Sequence, residues 1–177
     1  FRKSLYGGIG ILSSRDQSDS QAAMHKKFPF IDSERVGIWG HSGGGSLTLN
    51  MLFRYPDQYQ VGVSRAPVPD QRLYDAIYQE RYSGLLADHE EGYVQGSPIT
   101  HAKNLKGKLL LVHGTGDDNV HYQGSERLID ELVRHNRQFD FLSYPNRAHG
   151  IREREGTQLH LATAMTNYFD EHLGVSD

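Results

Sequence analysis

The sequence predicts an α/β fold, a mostly parallel sheet with helices packed on its faces. Four short apolar runs, Arg35 to Gly40, Gln60 to Arg65, Lys108 to His113 and Phe139 to Tyr144, look like strands buried on both faces. Segments with helical spacing lie between them. Strands that alternate with helices favour parallel pairing, which puts ligands at the carboxyl ends of the strands.

In chain order, Asp16 to Lys27 reads as a polar helix with Asp16 as its N-cap, stopped by Phe28-Pro29. The first strand, RVGIWG, leads into a helix over Gly43 to Tyr55 that carries Leu47, Leu49, Leu52 and Phe53 and halts at Pro56. After the second strand, QVGVSR, the stretch from Pro67 to Leu105 reads as an insertion. It holds one helix, Asp70 to Tyr82, followed by irregular chain rich in Gly, Asp and His. The third strand, KLLLVH, precedes a helix over Tyr122 to His135 with Leu128, Ile129, Leu132 and Val133 on one face. The fourth, FDFLSY, precedes a closing helix, Thr157 to Leu173, whose Leu161, Ala164, Met165, Tyr168 and Phe169 are spaced to pack on the sheet.

Composition narrows the function classes. A length of 177 residues suits one domain with a real core. With 23% charged and 37% apolar residues the chain is globular rather than disordered. A net charge of -3 gives no broad basic field, so nucleic acid is not expected as a partner, and Lys103, Lys106 and Lys108 read as a solvated turn around Gly107. There is no cysteine, which excludes disulfides, a thiol nucleophile and thiolate metal sites but leaves the compartment open, export included. No apolar run approaches the roughly 20 residues of a membrane span, and no signal peptide is visible. Phe1 in place of an initiator Met is what a chain starting mid-protein or after processing would show.

The chemistry starts after the first strand, where Gly40-His41-Ser42-Gly43-Gly44 forms a G-x-S-x-G pattern ahead of a helix. Strand, pattern and helix together make a nucleophile elbow, a turn so tight that the residues two before and two after the serine are expected to have no room for a Cβ. The turn lifts the Ser42 hydroxyl above the sheet and aims the Gly43 backbone N–H at a developing oxyanion. The alternative is a chance glycine-rich strand-to-helix turn, which the joint presence of strand, pattern and helix disfavours.

A serine hydroxyl is a poor nucleophile until a histidine takes its proton and a carboxylate holds that histidine. Gly114-Thr115-Gly116-Asp117-Asp118-Asn119 follows the third strand and Arg147-Ala148-His149-Gly150 the fourth, giving the order Ser, Asp, His that α/β-hydrolases use. Of ten histidines, His149 alone lies between the last strand and the last helix. His113 at a strand end and His121 at a helix start read as structural. Spacing does not separate Asp117 from Asp118. No H-E-x-x-H or similar pattern supports a metal site, and no cofactor is needed for this chemistry.

These residues resemble the prolyl oligopeptidase family of serine peptidases, in particular its dipeptidyl peptidase IV-like branch. The likeness runs from RVGIWGHSGGG through YDAIYQERYSGL and GSPITHAKNLKGKLLLVHGTGDDNVHYQGSERLIDEL to YPNRAHGI and the last helix, covering most of residues 35 to 173. HGTGDDNVH and YDAIYQERY are far more specific than the elbow.

The resemblance implies Ser42 as nucleophile, Asp117 rather than Asp118 as the acid, and His149 as the base. It also implies that Tyr74 and Tyr78 wall a pocket for proline or alanine at the penultimate substrate position, with Val68 and Val120 lining it, and that Asn119 hydrogen-bonds the carbonyl of the first substrate residue. Without it, Tyr74 and Tyr78 would read as one core-facing helix stripe at i and i+4. The family's activity would be the release of N-terminal X-Pro or X-Ala dipeptides from a peptide substrate, and its members often dimerise through the hydrolase domain.

The sequence departs from the family in places. His41 stands where close relatives usually carry Trp, and Gly43 where some carry Tyr. With 34 residues before Arg35, the chain is expected to be the C-terminal part of a hydrolase domain, without the early strands, the tyrosine that gives the second oxyanion hydrogen bond, or the β-propeller whose carboxylates grip the substrate's amino group. Losing one oxyanion donor costs on the order of 10²–10³ in turnover. Two other readings remain open: an esterase or acylaminoacyl peptidase with the same elbow, and a non-catalytic interaction domain derived from a peptidase.

Overall fold

Side-chain alternation along one strand divides the core in two. In β3 (Lys108–Gly114), Leu109 and Leu111 point to one face of the sheet and Leu110 and Val112 to the other, all almost fully buried. A computed structural model, which describes residues 2–174, places β3 in a four-stranded parallel sheet ordered β1 (Gly37–His41), β2 (Val61–Arg65), β3, β4 (Asp140–Tyr144). The register pairs Trp39 with Val63, Val63 with Leu110 and Leu111 with Phe141. All four apolar runs are therefore strands, each within two residues of the expected bounds.

On one face, α2 (Gly43–Arg54) and α5 (Gln123–Arg134) bury Leu49, Leu52, Phe53, Leu128 and Leu132 against Leu109 and Leu111. On the other, α6 (Thr157–Leu173) packs Leu161 and Tyr168 over Val61, Val63, Leu110 and Val112. Each of these large side chains contributes roughly 1.5–3 kcal/mol by leaving water. Both layers hold the sheet so that the ends of β1, β3 and β4 face a common surface.

Two expectations need correction. The first helix, α1 (Leu12–Lys27), starts four residues before Asp16, which lies inside the helix instead of capping it. Its buried residues are serines: Ser14 Oγ donates to the Gly10 carbonyl at 2.7 Å and Ser18 Oγ to Gln58 Oε1 at 2.6 Å. Hydroxyls bonded in this way replace apolar contacts, so the helix has no apolar stripe to read.

The insertion is also more helical than expected. A 3₁₀ turn over Gln71–Leu73 ends at Tyr74, whose backbone is extended (φ −103°, ψ 172°), and α3 (Ala76–Ser83) begins behind Asp75. Asp75 caps that helix by accepting from Tyr78 N at 2.7 Å, so the single helix expected over Asp70 to Tyr82 is two pieces. The stretch expected to be irregular holds α4 (Leu86–Gly96), with a break at His89, and a 3₁₀ segment, Pro98–Asn104.

The insertion is tied to the main body by Asp70. Its buried carboxylate accepts from Arg72 Nε and Nη2 at 2.9 Å and lies 3.7 Å from Arg127 on α5. Burial pushes its pKa up, and the bonds from Arg72 more than offset this, leaving it below the usual carboxylate value. Ser97 Oγ, which accepts from Gln71 N at 2.7 Å, fixes the same corner from the other side.

Candidate active site

The elbow forms because β1 must turn directly into α2. Ser42 takes φ 58° and ψ −122°, a conformation costly for a residue with a side chain. Its N–H donates to the Arg65 carbonyl at the end of β2 at 2.9 Å, which pins the turn to the neighbouring strand. A Cβ added to Gly40 would lie 2.2 Å from the Gly44 carbonyl oxygen, so a side chain there is incompatible with the turn. A Cβ on Gly44 would meet nothing within 4 Å. The steric requirement thus falls on the glycine before the serine, and the expectation of an equal one two residues after it is corrected.

Although Ser42 occupies the N-cap position of α2, its hydroxyl caps no backbone N–H and stays available. His149 Nε2 lies 3.0 Å from Ser42 Oγ, and His149 Nδ1 lies 2.7 Å from Asp117 Oδ2. With the carboxylate facing Nδ1, that nitrogen holds the imidazole proton and Nε2 is the lone-pair side, turned to the serine. Residues 107 positions apart are joined in this contact, brought together only by the parallel sheet.

Asp117 is the buried member of the line. Burial drives its pKa up, and bonds from His149, Val120 N–H (2.9 Å) and Asn119 N–H (3.0 Å) outweigh this and hold it below the ordinary carboxylate value. Asp118 is exposed. Sequence reasoning missed the part played by His113, whose Nε2 lies 3.0 Å from Asp117 Oδ2 and 3.0 Å from the Val120 carbonyl. Its Nδ1 sits 2.7 Å from Ser125 Oγ. The i to i+4 spacing from His113 to Asp117 across a strand end was the available signal.

At the head of α2 the Gly43 N–H belongs to the helix's unpaired first turn and has no hydrogen-bond acceptor among the described residues. It borders, with Ser42, a cavity of about 390 Å³ whose wall includes Val68, Tyr74, Tyr78 and Tyr82. The three tyrosines pack in sequence: Tyr74 and Tyr78 have ring centroids 5.6 Å apart at 71°, Tyr78 and Tyr82 4.9 Å apart at 57°. Tyr78 and Tyr82 form an i, i+4 pair on α3, whereas Tyr74 reaches the wall from the extended residue before it. Tyr82 was not singled out from the sequence, although the same spacing points to it.

Tyr74 donates its hydroxyl proton to Asn119 Oδ1 at 2.9 Å. This fixes the amide with its Nδ2 free to donate. Val120 is buried and lines a separate cleft of about 220 Å³ that it shares with Val68 and Leu73. Val68 borders both spaces, its N–H donating to Ser46 Oγ at 2.8 Å.

His41 completes the surroundings. Its ring lies against His149 with centroids 4.7 Å apart, and burial, together with the charges of His149 and Arg65, pushes its pKa down to about 4. Among the described residues no group of three or more acidic or histidine side chains is arranged to hold a metal ion, and no helix is long and apolar enough to cross a membrane.

Fold and site together define an α/β-hydrolase whose sheet carries a serine, a histidine and an aspartate in hydrogen-bonding sequence. The chain belongs to the prolyl oligopeptidase family, whose family model matches residues 1–176. It is 38% identical over 180 residues to the Probable dipeptidyl peptidase 4 of Aspergillus clavatus, covering 97% of this chain and 23% of that protein. It is 36% identical to human dipeptidyl peptidase 8 over 94% of this chain and 19% of the human one. The crystal structure of Porphyromonas gingivalis dipeptidyl peptidase 4 superposes with a TM-score of 0.93 at 36% identity, over 97% of this chain and 24% of that one. The chain therefore spans about a quarter or less of the length of these relatives.

Proposed function

We propose that this chain is the C-terminal part of the hydrolase domain of a longer serine exopeptidase that releases N-terminal X-Pro or X-Ala dipeptides. The observation that carries the reading is the Ser42–His149–Asp117 line opening on a tyrosine-walled cavity. A proline ring is flat and apolar and suits a slot between aromatic faces, while Asn119 offers a fixed donor for a peptide carbonyl. The names of the relatives support the release of a dipeptide.

The reaction is acyl transfer. His149 takes the proton of Ser42 as Oγ attacks the carbonyl of the second residue, and Asp117 stabilises the imidazolium that forms. The tetrahedral oxygen accepts from Gly43 N–H. His149 then gives its proton to the departing amine, and water, activated by the same histidine, releases the dipeptide and restores Ser42. Val68 and the tyrosines exclude water from the acyl side.

The test is cleavage of Gly-Pro-p-nitroanilide by the full-length protein, with labelling of Ser42 by a fluorophosphonate. Ser42→Ala is expected to abolish labelling and lower turnover at least about 10³-fold. Turnover unchanged in that variant would overturn the assignment of the nucleophile. Strong ester cleavage without X-Pro cleavage would overturn the substrate class alone.

A further inference from the structure

The tyrosine-walled cavity also has a polar side. Gln71, from the 3₁₀ turn before Tyr74, and Gln79 on α3 line it beside Ser46 and Asn50 of α2. The two α2 side chains are already engaged. Asn50 Nδ2 donates to the Gly96 carbonyl at 3.2 Å and its Oδ1 accepts from Arg54 Nε at 2.8 Å, while Ser46 Oγ accepts the Val68 N–H. The side chains of the glutamines bond only each other: Gln79 Nε2 donates to Gln71 Oε1. That leaves Gln79 Oε1 buried without a partner and Gln71 Nε2 without an acceptor among the described residues. Turning both amides over would exchange the two roles and still leave one donor group and one acceptor.

Both residues are enclosed, with Gln79 2% and Gln71 4% exposed. An amide shut away from bulk water with bonds unmade carries a cost that a bound group supplying those bonds removes. The cavity gives such a group a way in. Ser42 and Gly43 line it as well, so the side chain of an acyl group held on Ser42 projects into the space that the glutamines border. Its volume of about 390 Å³ suits a whole small ligand and exceeds what a proline ring fills. A Cβ built on Gly43 would meet nothing within 4 Å, so nothing crowds that side.

We propose that Gln71 and Gln79 select a hydroxyl group on the second residue of the substrate, so that the enzyme releases X-hydroxyproline or X-Ser dipeptides in preference to X-Pro or X-Ala. One hydroxyl accepts from Gln71 Nε2 and donates its own proton to Gln79 Oε1, the soft terminal torsion of the Gln79 amide bringing its oxygen round. A neutral group is what the site takes, since no acidic or basic residue lines the cavity to pair with a charge. The proposal rests on the dipeptidyl peptidase reading, which places the second residue of the substrate in this cavity.

The experiment uses the full-length protein and dipeptide p-nitroanilides in two pairs that differ by a hydroxyl: Gly-Pro with Gly-Hyp, where Hyp is trans-4-hydroxyproline, and Gly-Ala with Gly-Ser. The expected result is a kcat/KM about two- to tenfold higher for the hydroxylated member of at least one pair, the net worth of a hydrogen bond. Preference in the proline pair places the contact at the depth of the ring, and preference in the alanine pair places it nearer the main chain. Gln79→Met and Gln71→Met each remove an amide at similar length, and in both the ratio should fall to one or below, because a buried hydroxyl then lacks its partner. Being a ratio, it is insensitive to general loss of activity. Ratios at or below one in both pairs for the parent overturn the proposal, as does a preference that survives both substitutions. If none of these p-nitroanilides is cleaved, the dipeptidyl peptidase reading fails, and the proposal with it.

Discussion

His113 Nε2 lies 3.0 Å from Asp117 Oδ2, the same oxygen that His149 Nδ1 approaches at 2.7 Å. Because His113 Nε2 also faces the Val120 carbonyl, it carries the proton and Nδ1 accepts from Ser125, a neutral tautomer fixed on both sides. Burial pushes the pKa of His113 down, which preserves that neutral form. Asp117 thus receives four donors, two on each oxygen, and cannot rotate without losing some of them. Under the proposed function, His113 is a positioning residue for Asp117.

His113→Leu should therefore lower kcat about tenfold with little change in KM, and cost about 1–3 kcal/mol of stability through the donor lost to Asp117 and the partner lost to Ser125. Steady-state kinetics with Gly-Pro-p-nitroanilide and urea unfolding read the two effects. A loss of stability with kcat intact would leave His113 with a purely structural part.

The elbow should respond unequally to its two glycines. Gly40→Ala would set a methyl group 2.2 Å from the Gly44 carbonyl oxygen and is expected to cost at least about 2 kcal/mol and nearly all fluorophosphonate labelling. Gly44→Ala meets open space and should retain the fold and most of the labelling. Equal tolerance at both positions would contradict the steric account of the turn.

Tyr74→Phe removes the hydroxyl that fixes the Asn119 amide. KM for X-Pro substrates should rise about two- to tenfold, the worth of one hydrogen bond, with kcat nearly constant. Asn119→Ala should produce at least as large a change, and the double variant no more than Asn119→Ala alone, because both act through the same contact.

His41 predicts a pH dependence of stability. Its pKa is about 4 in the folded chain against 6.5 for the free group, so the unfolded chain takes up the proton first as pH falls. The stabilisation is complete above pH 6.5 and declines between 6.5 and about 4, with His113 acting in the same direction. Urea midpoints measured from pH 7 to 4.5 should fall less steeply in His41→Gln than in the parent. An identical slope would show that His41 does not titrate as its surroundings require.

The parts of the fold that were legible in the sequence are those that bury apolar side chains. The four strands and α6 announce themselves because Leu109 to Val112 and Leu161 to Phe169 have to leave water. Helix α1 buries Ser14 and Ser18 through hydroxyl bonds, and α4 sits in a stretch rich in Gly, Asp and His, so hydrophobic spacing marks neither. At the site, the order of Ser42, Asp117 and His149 along the chain could be read, since each follows a strand. Tyr74 reaches the cavity wall only because Asp75 starts a new helix after it, and the service of His113 to Asp117 depends on where a strand ends. Both are consequences of backbone direction, which periodicity does not record.

Arg65 presents two unrelated surfaces to the site. Its carbonyl receives the Ser42 N–H, and its side chain lies on the α6 side of the sheet. Main-chain acceptors are alike in every amino acid, so replacing the side chain at this position leaves the strand attached to the serine turn. The Ser42 turn is thereby insulated from side-chain change at its nearest neighbour in the sheet.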